Sequence, residues 1–67
     1  MHERDRQAFE DACAAEANQL QQVVDNQLKR IELSPSIDED LKKKLTDEAS
    51  RIQETVKFLR SMIIQLS

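Results

Sequence analysis

Leu33-Ser34-Pro35-Ser36 divides the chain. It holds the only proline of the 67 residues, and the sequence has no glycine anywhere. On either side the pattern is helical throughout. Pro35 cannot donate an i→i−4 hydrogen bond, and it pushes Ser34 out of the helical region. One long rod is thereby cut into two helices of similar length.

The segment before the break runs from about residue 3 to residue 33. Its apolar residues fall at Phe9, Cys13, Ala17, Leu20, Val24, Leu28 and Ile31. That spacing approaches an eleven-residue repeat of about 3.67 residues per turn, close to a straight α-helix. Strand alternation fails over the same window. Ala8, Ala12, Ala14 and Ala15 add helix propensity and keep the surface thin. Lys29 and Arg30 occupy the last turn, where cations complement the carbonyl end of the helix dipole.

The segment after the break runs from about residue 37 to residue 66, with the turn at 34–36. Ser36-Ile37-Asp38-Glu39 has the form of a capping box, with Ser36 as N-cap. A competing assignment makes Ser34 the N-cap and Pro35 the first helical residue. The apolar stripe is Ile37, Leu41, Leu45, Ala49, Ile52, Val56, Leu59, Ile63 and Leu66. From Ala49 onward it keeps a heptad rhythm. Two equal helices joined by a short turn fold back on each other. The expected fold is all-α: a single antiparallel two-helix hairpin, coiled-coil-like, over residues 1–67. Dimerisation or a partner protein would complete it to a four-helix bundle.

Composition narrows the function. Charged residues make up 34% of the chain, and the net charge is −3, so no long-range field draws nucleic acid or anionic lipid. The one basic run, Lys42-Lys43-Lys44, follows the acids Asp38, Glu39 and Asp40 and reads as solvated surface. No apolar run approaches the ~20 residues that span a bilayer. One cysteine excludes an internal disulfide, and Cys13 reads as a small core residue. A free thiol and a charged N-terminus without an apolar signal core lead to the expectation of a cytoplasmic protein. One histidine, at position 2, makes no metal site and no catalytic triad on a rigid element. Without glycine there is no phosphate loop and no calcium loop. Ser34-Pro35 is a possible target of a proline-directed kinase, but it is also ordinary turn chemistry. The expectation is a non-enzymatic protein without cofactor, metal, nucleic acid, membrane or small-molecule substrate.

The end of the chain is too apolar for one partner helix. Val56, Leu59, Ile63 and Leu66 lie on the main stripe, Phe58 and Met62 lie on its flank, and Ile64 lies on the other side. Val23 widens the stripe of the first helix. The predicted protein-binding residues are therefore Phe58, Leu59, Met62, Ile63, Leu66, Phe9 and Val23. They would act in an assembly module that docks a second copy or a different protein at the end where the termini meet. The alternative is a small chaperone or adaptor shielding a helical client. Secretion-type co-chaperones are similar to it in size and architecture, with no motif in common.

Overall fold

A computed structural model of the chain describes residues 2–66. Helix α1 spans Glu3–Glu32 and helix α2 spans Glu39–Leu66. The described residues contain no strand. The helices pack against each other along their length and form a rod 53 Å long and 15 × 11 Å across.

The connection differs in detail from either cap assignment. α1 closes with Leu33 N–H donating to the Lys29 carbonyl (2.9 Å) and Ser34 N–H to that of Ile31 (3.2 Å). Leu33 has φ −84° and ψ 1°, and no described residue needs a positive φ. The chain thus leaves the helix without the left-handed residue that favours glycine. Ile37 N–H then donates to the Ser34 carbonyl at 3.2 Å. That bond makes Ser34–Ile37 a four-residue turn with Pro35 second, where its fixed φ suits a type I or type II turn. Ser36 is consumed inside the turn and cannot act as N-cap. Asp38 takes that place. Its carbonyl accepts from Lys42 N–H at 2.9 Å, and its carboxylate Oδ1 accepts from Asp40 N–H at 3.4 Å. α2 therefore begins two residues later than residue 37, with Glu39 and Asp40 in its first turn.

The seam buries Cys13, Ala17, Val24 and Ile31 from α1, and Ala49 and Val56 from α2. Leu20 on α1 and Leu45, Ile52, Leu59, Ile63 and Leu66 on α2 are half-buried beside them. On α2 this is the expected heptad stripe. On α1 the seam also keeps a heptad rhythm, through residues 10, 13, 17, 20, 24, 27 and 31. The eleven-residue reading of α1 fails at two places. Phe9 is 46% exposed and Leu28 is 44% exposed, while Glu10 and Gln27 take the seam positions. A helix that stays against a heptad partner must present residues at that partner's spacing, whatever their polarity.

One polar contact fixes how the helices slide. The Gln21 and Gln53 amides bond reciprocally, Nε2 to Oε1 in each direction, at 3.0 and 3.1 Å. The two residues are half-buried and bridge the helices on one flank of the seam. Gln21 Nε2 also reaches Asp25 Oδ1 at 3.1 Å, which orients its amide.

Two outcomes follow for unfolding by denaturant at fixed protein concentration. Ala17 is almost fully buried where the helices approach, so Ala17→Leu should cost about 1–3 kcal/mol by overpacking. The exposed neighbour change Ala15→Leu should be neutral to slightly destabilising. Asp38→Ala should cost about 1 kcal/mol as a lost cap, and Ser36→Ala should cost little. The reverse order would return the cap to Ser36.

Candidate protein-binding face

A heptad seam has two flanks, each about 75–80° from its centre on either helix. The Gln21–Gln53 bridge marks one of them. In an antiparallel pair the flanks facing away from it lie together on the opposite side of the hairpin. On α1 that opposite flank carries Phe9, Glu16, Val23 and Arg30, and on α2 it carries Leu41, Glu48, Thr55 and Met62. All but Met62 are exposed, and Met62 is half-buried. One step further round, the same side adds Leu33 and Phe58.

Most of the large exposed apolar residues are thereby gathered onto one face. Phe9, Val23, Leu33, Leu41 and Phe58 are all exposed and all lie there. Phe58 is 61% exposed. The face has two apolar ends. Phe9 and Met62 lie towards the open end of the hairpin, with Phe58 between them and its middle. Leu33 and Leu41 flank the turn, beside a groove of about 220 Å³ lined by Gln27, Arg30, Ile31, Ser34, Ile37 and Leu45. Of its lining residues, Arg30 belongs to this face. Between the ends lie Val23 and the polar residues Glu16, Thr55 and Glu48.

The predicted binding residues divide. Phe9, Val23, Phe58 and Met62 belong to the face. Leu59, Ile63 and Leu66 are half-buried seam residues. Leu33 and Leu41, at the turn end, also lie on this face, beyond the residues expected there. Their signal was a seven-residue spacing, 9-16-23-30 on α1 and 41-48-55-62 on α2, which emerges only once the seam is known. Ile64, 74% exposed, and Leu28 lie towards the Gln21–Gln53 flank and do not join the face.

Electrostatics here are local. Arg6 binds both carboxylate oxygens of Glu3 at 2.6 Å and lies 3.9 Å from Glu10. Arg51 pairs with Glu48 at 3.4 Å, and Lys57 with Glu54 at 3.5 Å. No group of three or more candidate metal ligands occurs among the described residues. No helix among them is long and apolar enough to cross a membrane. Cys13 is a buried free thiol in the seam.

Fold and face together define an all-α helical hairpin with one apolar side left without a helix against it. Comparison with known proteins adds nothing to this: no family model fits the sequence, and no curated protein or solved structure is significantly similar to it.

Gln27 sits in the seam beside the groove, and its Oε1 is buried without a hydrogen-bond partner. Leaving such an acceptor unpaired costs about 1–3 kcal/mol. Gln27→Leu should therefore stabilise the hairpin by about 1 kcal/mol in denaturant unfolding, whereas the apolar swap one position on, Leu28→Met, should leave it unchanged. A destabilised Gln27→Leu protein would show that the amide is satisfied in solution.

Proposed function

We propose that this chain is a non-enzymatic assembly module that works by burying one helix face against another protein. The observation that carries the reading is the gathering of Phe9, Val23, Leu33, Leu41 and Phe58 on a single side of a two-helix rod. Scattered single apolar residues on a surface need no explanation, but several gathered on one side are a usual mark of an interaction site. Buried aromatic residues and methionine supply much of the energy of a contact, and Phe58 and Met62 fit that role. The charged residues of the face, Glu16, Glu48 and Arg30, would act on specificity more than on affinity.

Shape supports the same reading. A globular protein of 7.8 kDa would expose about 4,400 Å² by the usual mass scaling. This chain exposes 5,395 Å². The surplus of about 1,000 Å² is close to the ~800 Å² that each partner contributes to a standard interface. Two helices alone form a marginal structure, and covering that side would remedy it.

The direct test is site-specific photocrosslinking in cells that make the protein. A benzoylphenylalanine at position 58 or 23 should give discrete protein adducts. The same probe at position 22 or 47, on the outer surfaces of α1 and α2, should give none. Equal labelling at all four positions, or none at any, would overturn the reading. The chaperone or adaptor alternative predicts one adduct with a different protein of defined mass.

A further inference from the structure

We draw no further inference here: the strongest candidate, the apolar side of the hairpin that carries Phe9, Val23, Leu33, Leu41 and Phe58, is an unpartnered helix face, and nothing in the structure shows what covers it.

Discussion

The approach of the two helices at Ala17 and Ala49 governs the rest of the molecule. Small side chains there let the backbones come near, and Val56 and Val24 fill the seam opposite them. Close-packed contacts of this kind are short-ranged, so a slide of either helix would set large side chains against large ones. The Gln21–Gln53 amide pair reinforces the same register through directed bonds. The consequence is a narrow core. Much of the leucine, isoleucine and phenylalanine content lies beside the seam rather than in it.

The architecture was legible in the chain because its signals are local and strong. Pro35, the helical spacing on both sides and the absence of glycine admit little besides a helical hairpin. What could not be read locally was the phase of α1. Phe9 and Leu28 look like core residues, and Glu10 and Gln27 do not, yet the seam takes the polar pair. The period of α1 is imposed by α2, and a partner's spacing is not written in a helix's own sequence. The cap failed for a related reason. Ser36 has the right identity and the right distance from Glu39, but the Ser34–Ile37 turn needs it first. Asp38 has the same chemistry and falls at the position left over.

The candidate face was half legible. Phe58, Met62, Phe9 and Val23 announce a surplus of apolar surface at the open end. Leu33 and Leu41 looked like parts of the turn and of the stripe. They join the face only once the Gln21–Gln53 bridge shows which flank is closed. The apolar surplus expected at the open end thus becomes an apolar side running the length of the rod, with the turn as much a part of it as the termini.

The ion pairs lie wholly within single helices. Among the described residues each joins side chains three or four apart on one helix, and none crosses the seam. Such pairs support a helix by a few tenths of a kcal/mol each and fade as salt screens them. The fit between α1 and α2 rests on packing and on neutral amides, which salt screens little. Ionic strength should therefore act on how well each helix holds its own ends, and leave the match between the helices almost untouched. Brine and dilute buffer would find the same two rods in the same register.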